Sequence, residues 1–299
     1  MDYVLGIDGG GTKTDVVCMD LSEHVVSRRR FSSFNINVIG AKGLEQRMKE
    51  IADWAFKQGK CLAVCIGAAG YSNFLMKEII QQFMMDRNIA LWTLLGDDTI
   101  SWYGALHGEA GVILESGTGS FCYGRNKEGE IFRAGGWGHR IGDEGSGYAL
   151  GRDLLHVVSH WYDGYGTAEN LAKAIKEKAS LCSRQEILAY VYGKDESKIA
   201  DLASIVLEMA FLGDKEAEKI VEKNVQDLCQ LVEAVYDKLN MTKEPVVLMG
   251  GILENESYYD EKIRQELHKQ LPSISFRHAI ESPDVGAAWL ALELVKKRE

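Results

Sequence analysis

The stretch Gly6–Val17, "GIDGGGTKTDVV", decides the fold of the first part of the chain. Three consecutive glycines follow a strand-like run, and the residues after the Lys-Thr pair again favour a strand. A P-loop needs G-x-x-x-x-G-K-[ST] before a helix, and a dinucleotide fingerprint needs a helix after its last glycine. The stretch therefore predicts a glycine-rich β-hairpin turn whose amides, with the hydroxyls of Thr12 and Thr14, face an anion.

A second turn of this kind occurs later in the chain. Residues 111–124, "GVILESGTGSFCYG", read as a strand, a small-residue turn at Ser116–Ser120 and a returning strand. A lone GGG is more often an ordinary hairpin, but its repetition about one domain later suggests two related halves. Each half is expected to present a phosphate-sized turn, and Asp8, at the end of the first strand, could orient water on Mg²⁺.

Composition excludes several functional classes. A chain of 299 residues with 46% hydrophobic residues has room for about two domains and a cleft between them. The net charge of −10 argues against a nucleic-acid surface. No apolar run is long enough to span a bilayer, and no leader-like segment opens the chain. The six cysteines contain no C-x-x-C pair, so reduced core thiols in a cytoplasmic protein are expected.

The remaining pattern predicts an α/β fold. Helical spacing over 41–58 and 73–87 alternates with buried strands at 61–70 and 89–95, which favours a parallel sheet sector after the initial meander. Residues 149–240 are largely helical, "PVVLMGGIL" is a buried strand that ends in paired glycines, and 283–297 is a final helix.

The ordered set "GIDGGGTKT", "GDDT", "SGTGS", "GGWGHRIGDEGSGY" and "VVLMGGI" resembles the N-acetylglucosamine kinases and the wider BadF/BadG/BcrA/BcrD ATPases of the sugar-kinase/Hsp70/actin superfamily. The resemblance covers almost the whole chain, and "GGWG" followed by "GDEGS" is its most specific part. It implies two ribonuclease-H-like domains with a cleft between them. The N-terminal ATPase domain is expected over 1–115, completed by the C-terminal helix 284–299, and the C-terminal ATPase domain with a helical insertion over 116–283.

The resemblance also implies an ATP site. Phosphates are expected at the two turns and adenosine near the paired glycines that end the later strand. Asp8 is expected to hold Mg²⁺, through water. The expected ATP-binding residues are Gly10, Gly11, Thr12, Lys13, Thr14, Gly117, Thr118, Gly119, Gly250 and Gly251.

Phosphoryl transfer needs a carboxylate that takes the acceptor hydroxyl's proton. By resemblance this is Asp98, with Asp97 the alternative and a helix N-cap the ordinary role for one of the two. For the acceptor, the resemblance implies that an amino sugar contacts Asn35, Asn37, Ser120, Gly136, Trp137 and Asp143. Phe121 departs from the polar asparagine that amino-sugar kinases carry there, which leaves the sugar open.

The resulting hypothesis is an ATP- and Mg²⁺-dependent kinase for the 6-hydroxyl of N-acetylglucosamine, with glucosamine and N-acetylmuramic acid as neighbouring acceptors and a homodimer expected from the resemblance. A dehydratase-activator ATPase is the alternative, for which Cys122 is the one cysteine near a motif. A sugar-sensing regulator would need a DNA-binding element, and none is expected here. His156 and His160, four apart on a helix, lack the glutamate of a zinc-protease motif and read as packing residues.

Overall fold

The computed structural model describes residues 1–193, 198–253 and 257–298. The chain is α/β and divides into two units: residues 1–109 with the C-terminal residues from Ala279, and residues Ala110–His278. The boundary expected from the sequence, at 115, falls inside the strand Gly111–Ser116. The division seen in the structure lies before this strand, so the whole strand belongs to the second unit. The last helix ends at Lys296, and Glu299 lies outside the described residues.

The strands come in two sets of five along the chain. The first set is β1 (Asp2–Gly9), β2 (Lys13–Asp20), β3 (Val25–Ser32), β4 (Lys60–Ala68) and β5 (Leu91–Leu95). The second set is β6 (Gly111–Ser116), β7 (Ser120–Arg125), β8 (Ile131–Gly135), β9 (Pro245–Met249) and β10 (Ser275–Arg277).

Eleven helices are seen in the described residues, and seven of them lie in the second unit. They are α1 (Ile36–Ala55), α2 (Phe74–Asp86), α3 (Asp97–Leu106), α4 (Gly147–Tyr162), α5 (Glu169–Ala179), α6 (Arg184–Val191), α7 (Lys198–Asp201), α8 (Ala203–Phe211), α9 (Lys215–Lys238), α10 (Tyr258–Gln270) and α11 (Pro283–Lys296). None of them carries an apolar stretch long enough to cross a membrane.

The two sheets have the same topology. The first runs β3-β2-β1-β4-β5 and the second β8-β7-β6-β9-β10. In each, the first three strands form an antiparallel meander, and the two later strands pair parallel to one another and to the first. The prediction of two related halves is therefore confirmed.

The first sheet is covered on both faces, as the alternation along β1 shows. Leu5 and Ile7 join the core formed with α1 and α2, whereas Val4 joins the core formed with α11. Successive side chains of a strand point to opposite faces, so a run buried throughout requires helices on both sides. The buried carboxylate of Asp284 accepts the Nε–H of Arg28 at 2.6 Å and ties the start of α11 to β3.

The second unit has one large core. It joins apolar residues of β6, β7 and β9 to the helices α4–α10. Cys122 lies in this core and is fully buried, as are Cys18, Cys65 and Cys229. All six cysteines are free thiols.

α1 begins earlier than the sequence pattern predicts. It starts at Ile36, and Gly40, with φ +67°, interrupts it before the long segment that the periodicity identifies. Leu44, Met48 and Ile51 are buried on the predicted face. Only a residue without a Cβ adopts this left-handed conformation at little cost, so Gly40 allows a short leading turn to be joined to the amphipathic helix.

Candidate active site

The first glycine turn, Gly9–Thr14, closes the hairpin of β1 and β2. Its two ends are paired in the ladder, and the N–H of Gly10 donates to the carbonyl of Lys13 at 3.0 Å. Thr12 is exposed, and a Cβ built on Gly11 would have no atom within 4 Å. The main chain of the turn is therefore open to the approach of an anion.

The side chain of Thr14 corrects an expectation. It is buried, and its hydroxyl donates to the carbonyl of Ser32 at 2.7 Å. Because Thr14 has no exposed surface, its hydroxyl needs a partner within the protein. The hydroxyl therefore stabilises the strand pairing instead of pointing at an anion.

Asp8 lies half-buried at the end of β1, opposite Asp15 of β2. Asp15 accepts the Nε–H of Arg30 at 2.7 Å, and this pair lowers the pKa of Asp15 against the effect of burial. In the described ranges, no group of three or more His, Cys, Asp or Glu side chains could hold a metal ion. One carboxylate beside an open turn suits a Mg²⁺ ion that keeps most of its waters and binds substrate phosphates, not one enclosed by protein ligands.

Asp98 lies in the first turn of α3 and is 6% exposed. Its Oδ1 accepts the backbone N–H of Thr99 at 2.7 Å and the Thr99 hydroxyl at 3.2 Å. Oδ1 of Asp97 accepts the N–H of Asp98 at 3.1 Å. Each acid accepts the N–H of the next helix residue, but Asp98 is buried and accepts the hydroxyl of Thr99 as well.

Gly96 leaves the space that the Asp98 carboxylate fills. A Cβ at Gly96 would collide with Oδ1 of Asp98 and would lie 3.1 Å from Cε1 of Tyr71. Tyr71, from the loop after β4, and Asp98, from the first turn of α3, therefore both lie near Gly96. Sequence reasoning missed Tyr71 and Thr99; the available signal was "AAGYSN" directly after a buried parallel strand, where ligands of α/β sheets commonly bind.

Three asparagines gather near Gly70. Asn35 is the N-cap of α1, and its Oδ1 accepts the N–H of Asn37 at 2.9 Å. Oδ1 of Asn37 accepts from Nδ2 of Asn73 at 3.4 Å. A Cβ on Gly70 would lie 3.2 Å from Nδ2 of Asn37 and 3.4 Å from Oδ1 of Asn35. The structure thus brings both predicted asparagines together and adds Asn73.

The features of the first unit share one edge of its sheet. β1, β4 and β5 run parallel, and their carboxyl ends lead into the glycine turn, the loop containing Gly70 and the start of α3. Parallel strands bring the residues that follow them to a common edge, where open α/β sheets bind ligands. The predicted phosphate turn and Asp98 therefore belong to one local site.

The second turn, Ser116–Ser120, is enclosed by its own unit. The hydroxyl of Ser116 donates to the carbonyl of Gly145 at 2.9 Å, and that of Ser120 donates to the carbonyl of Glu144 at 2.6 Å. Ser120 is buried, and this hydrogen bond uses its hydroxyl proton within the protein. The expectation that Ser120 contacts the sugar through this hydroxyl is therefore corrected. The N–H of Gly147 donates to the carbonyl of Gly117 at 2.8 Å, which fixes the turn against α4.

Asn224 and Tyr259 support the loop beside this turn. The N–H of Gly145 donates to Oδ1 of Asn224 at 3.1 Å, and the hydroxyl of Tyr259 donates to the carbonyl of Gly145 at 3.0 Å. Both side chains are fully buried. Sequence reasoning missed these supports, although a polar residue on the apolar face of an amphipathic helix, as Asn224 is, is a recognisable signal.

Asp143 connects the second turn to the glycine-rich loop. Its carboxylate accepts the N–H groups of Ser120 and Gly138, and a Cβ on Gly119 would lie 2.8 Å from its Oδ2. Burial raises the pKa of Asp143 although both backbone hydrogen bonds act to lower it. Its φ of +62° is uncommon for a residue with a Cβ, and such strain concentrates at functional sites.

Trp137 stands on a loop in which Gly135, Gly136 and Gly138 all have positive φ. Its side chain is 73% exposed, so it contributes little to the core. Gly136 is exposed as well. An exposed aromatic ring on a glycine-rich loop is suited to contact a ligand.

The paired glycines after β9 differ from each other. Gly250 has φ +103°, and a Cβ there would collide with the carbonyl of Ser116. Gly251 has open space at its Cβ position. β6 and β9 are parallel neighbours, so these glycines lie beside the second turn. A Cβ built on Gly117 would lie 3.8 Å from the backbone nitrogen of Gly251.

The two histidines of α4 lie one helical turn apart, and His156 is exposed whereas His160 is half-buried. The rings of His156 and His160 meet edge to face at 4.3 Å between centroids, and His160 also contacts the ring of Tyr165. Neither belongs to a set of three metal-binding side chains in the part of the chain that the structure describes. Both therefore take part in an aromatic row along the helix.

Residues 5–291 match the BadF/BadG/BcrA/BcrD ATPase family, and the chain belongs to this family. It is 33% identical to the N-acetylmuramic acid/N-acetylglucosamine kinase of Clostridium acetobutylicum, over 97% of this chain and 98% of the relative. It is 28% identical to the N-acetyl-D-glucosamine kinase of Dictyostelium discoideum, over 99% of each chain.

Solved structures share the fold. A candidate N-acetylglucosamine kinase from Chromobacterium violaceum superimposes with a TM-score of 0.77 at 23% identity, over 97% of this chain and 98% of that one. Component A of the (R)-2-hydroxyglutaryl-CoA dehydratase from Acidaminococcus fermentans gives a TM-score of 0.52 at 14% identity, over the whole of both chains. At these identities the two likenesses concern the fold alone.

Proposed function

We propose that the protein is an ATP-dependent kinase that transfers the γ-phosphoryl group to the 6-hydroxyl of an N-acetylated amino sugar, with N-acetylglucosamine as an acceptor. The observation that carries the proposal is the buried carboxylate of Asp98, held by Thr99 on the sheet edge that also bears the open glycine turn. The names of the two sequence relatives support the choice of acceptor.

Phosphoryl transfer depends mainly on positioning and on neutralising charge, so the protein needs few reacting groups. In the proposal, the amides of Gly11–Lys13 in the first unit and those of Thr118 and Gly119 in the second contact phosphates of ATP, whereas the N–H groups of Gly10 and Gly117 donate to carbonyls within their own turns. The open space at Gly11 and at Gly251 supports close approach of ATP to main chain. Gly250 shapes the loop under the adenosine through its positive φ.

Asp8 would hold Mg²⁺ through water. Asp8 and the open turn fit a hydrated Mg²⁺ ion, because one carboxylate leaves most of the coordination to water and phosphate. When bound, the ion neutralises charge on the β- and γ-phosphates. Its removal with a chelator should abolish phosphorylation, and added Mg²⁺ should restore it.

Asp98 would accept the proton of the acceptor hydroxyl as that oxygen attacks the γ-phosphorus. The two hydrogen bonds from Thr99 reach the same oxygen, Oδ1, and hold the carboxylate in one orientation. Asp97, whose Oδ1 accepts a helix N–H, is proposed to stabilise the start of α3. A base held in advance in its working orientation loses little entropy when the substrate binds.

Each unit offers groups that suit a sugar. Asn35 and Asn37 offer amide groups beside Gly70 in the first unit. In the second, Trp137 would cover one face of the sugar and Asp143 would accept from a sugar hydroxyl. We also propose a cytoplasmic location and a homodimer. The six free thiols support the location, because free thiols persist in a reducing compartment.

The activator alternative gains no support from Cys122. That thiol is fully buried in the core of the second unit, and burial raises its pKa well above the ordinary value. A cluster ligand must be a thiolate that can reach iron. The experiment that separates the two functions measures ADP release with ATP and Mg²⁺, with and without N-acetylglucosamine. Sugar-dependent release is expected; rapid release without sugar would contradict the proposal.

A further inference from the structure

Three consecutive residues after β4 border different parts of the candidate site in the first unit. The first, Ala69, donates its N–H to the carbonyl of Gly9, at the start of the glycine turn, at 3.2 Å. The second, Gly70, lies beside the asparagines, since a Cβ there would be 3.2 Å from Nδ2 of Asn37. The third is Tyr71. This short segment therefore lies next to both the proposed phosphate turn and the proposed sugar contacts.

Tyr71 itself borders the proposed general base. A Cβ on Gly96 would collide with Oδ1 of Asp98 and would lie 3.1 Å from Cε1 of Tyr71. The edge of the ring thus lies within a few ångströms of the carboxylate. The N–H of Tyr71 donates to the carbonyl of Ala68 at 3.1 Å, so a main-chain turn sets the point from which the ring projects. Because Tyr71 is still 38% exposed, its ring is open to contact with a bound molecule.

The general base alone does not choose the acceptor, because a carboxylate can take a proton from water as well as from a sugar hydroxyl. In transfer to the sugar, the hydroxyl oxygen bonds to the γ-phosphorus, its proton passes to Asp98, and ADP leaves with the electron pair of the broken P–O bond. Water in the same position would give inorganic phosphate and ADP by the same bond changes. A group beside the base that disfavours water would prevent this side reaction.

The edge of an aromatic ring can distinguish these two acceptors. Ring carbons accept no ordinary hydrogen bond, so a water molecule between the ring and the carboxylate would lose partners that it has in bulk water. A primary alcohol carries a CH₂ group beside its hydroxyl. This group can pack against the ring while the hydroxyl bonds to the carboxylate. One methylene in an apolar contact is worth about 10- to 200-fold in discrimination between substrates.

We propose that Tyr71 determines specificity for a primary alcohol over water: its ring packs on the CH₂ group of the acceptor and keeps water from the carboxylate of Asp98. This inference rests on the proposed kinase function. Tyr71 does not itself take part in proton transfer, which remains with Asp98. The γ-phosphoryl group then passes to the sugar and not to water.

The test compares two rates in each variant. One is the release of inorganic phosphate with ATP and Mg²⁺ alone, and the other is kcat/KM for phosphorylation of N-acetylglucosamine. The ratio of the second to the first measures selection of the sugar over water. Tyr71→Ala should lower this ratio at least about tenfold, because the packing surface is lost and water is admitted.

Two further variants of Tyr71 separate the ring from its hydroxyl and from its size. Tyr71→Phe keeps the ring and should keep the wild-type ratio. Tyr71→Gln keeps a long side chain, but its amide can hydrogen-bond to water, so the ratio should fall as in Tyr71→Ala. Phe74→Ala is the matched control: Phe74 is a 73% exposed aromatic residue three positions further along, and its loss should leave the ratio unchanged. Thermal unfolding confirms that each variant is folded.

Two results would overturn the inference. One is a wild-type ratio in folded Tyr71→Ala or Tyr71→Gln, because a residue with a purely structural role would change both rates in proportion. The other is a Tyr71→Phe that loses the ratio as fully as Tyr71→Ala, which would assign the effect to the hydroxyl. A wild type that forms no sugar phosphate overturns the kinase proposal itself, so the two failures are distinguished.

Discussion

Thr99 donates two hydrogen bonds to one oxygen of Asp98, from its backbone N–H at 2.7 Å and from its hydroxyl at 3.2 Å. Asp98 is 6% exposed, so its carboxylate is held by protein groups and not by bulk water. This relationship separates Asp98 from its neighbour Asp97 and makes it the group whose replacement is most informative.

Replacing Asp98 by Asn should lower kcat about 10²- to 10⁴-fold, the usual scale for a proton-transfer group, while ATP affinity and the thermal midpoint stay close to wild type. Steady-state kinetics, ATP titration and thermal unfolding measure the three quantities. Asp97→Asn is the matched variant and should keep most of its turnover. If Asp97→Asn is inactive and Asp98→Asn is active, the general base is Asp97 and not Asp98.

Replacing Thr99 by Val should lower kcat about tenfold, because the hydroxyl bond to Asp98 is lost while the branched shape is kept. KM for ATP should not change. Thr99→Ser restores a hydroxyl and should recover most of the turnover. Equal kcat values in the wild type and in Thr99→Val would show that the hydroxyl does not position the carboxylate.

Replacing Gly11 by Ala should weaken ATP binding at least about tenfold without lowering the thermal midpoint, because the added methyl group enters space that is open in the protein. Gly10→Ala is the contrasting variant: its Cβ would lie 2.9 Å from the carbonyl of Lys13, so both ATP affinity and stability should fall. ATP titration and thermal unfolding distinguish the two. Unchanged ATP affinity in Gly11→Ala would argue against the phosphate role of the turn.

Replacing Trp137 by Ala should raise KM for the sugar about 5- to 10-fold and change the thermal midpoint little, since the side chain is 73% exposed. Phe211, 71% exposed in the same unit, provides the control, and Phe211→Ala should leave KM unchanged. If both variants behave alike, Trp137 does not contact the sugar.

Glu244 gives a prediction about acid stability. Burial acts to raise its pKa, but N–H groups of Thr242 and Lys243, at 2.9 Å and 3.1 Å, with Lys127 nearby, hold the pKa at about 2. A lowered folded-state pKa stabilises the protein above the ordinary value of 4.5, and this contribution is lost as the pH falls toward 2.

Glu244→Gln should therefore unfold at a lower temperature than the wild type at pH 7, and the difference should shrink between pH 4.5 and pH 2. Glu128→Gln, at an exposed position, should show no such difference. Thermal unfolding followed by circular dichroism over this range measures both. A difference that is constant with pH would show that the Glu244 charge is not its source.

The sequence predicted the architecture well because its signals are local. A glycine turn followed by β-type residues excluded a P-loop, and the repeated turn at Ser116–Ser120 indicated the duplicated topology that the two sheets show. Helical periodicity located the buried face of α1, although its leading turn was missed because Gly40 interrupts the pattern.

The site was predicted less completely because its geometry depends on distant segments. The hydroxyls of Thr14 and Ser120 are used by Ser32 and Glu144, which strand pairing and loop packing bring beside them. Asn224 lies 79 residues from Gly145, so its support of the loop could not be inferred from spacing.

The most direct test of the account is the identity of the product formed from ATP, Mg²⁺ and N-acetylglucosamine. The account predicts one sugar phosphate for each ADP, with a phosphorus–proton NMR correlation to the two protons on carbon 6, formed about 10²- to 10⁴-fold more slowly by Asp98→Asn. ADP release without a sugar phosphate, or a phosphate on another hydroxyl, would contradict it.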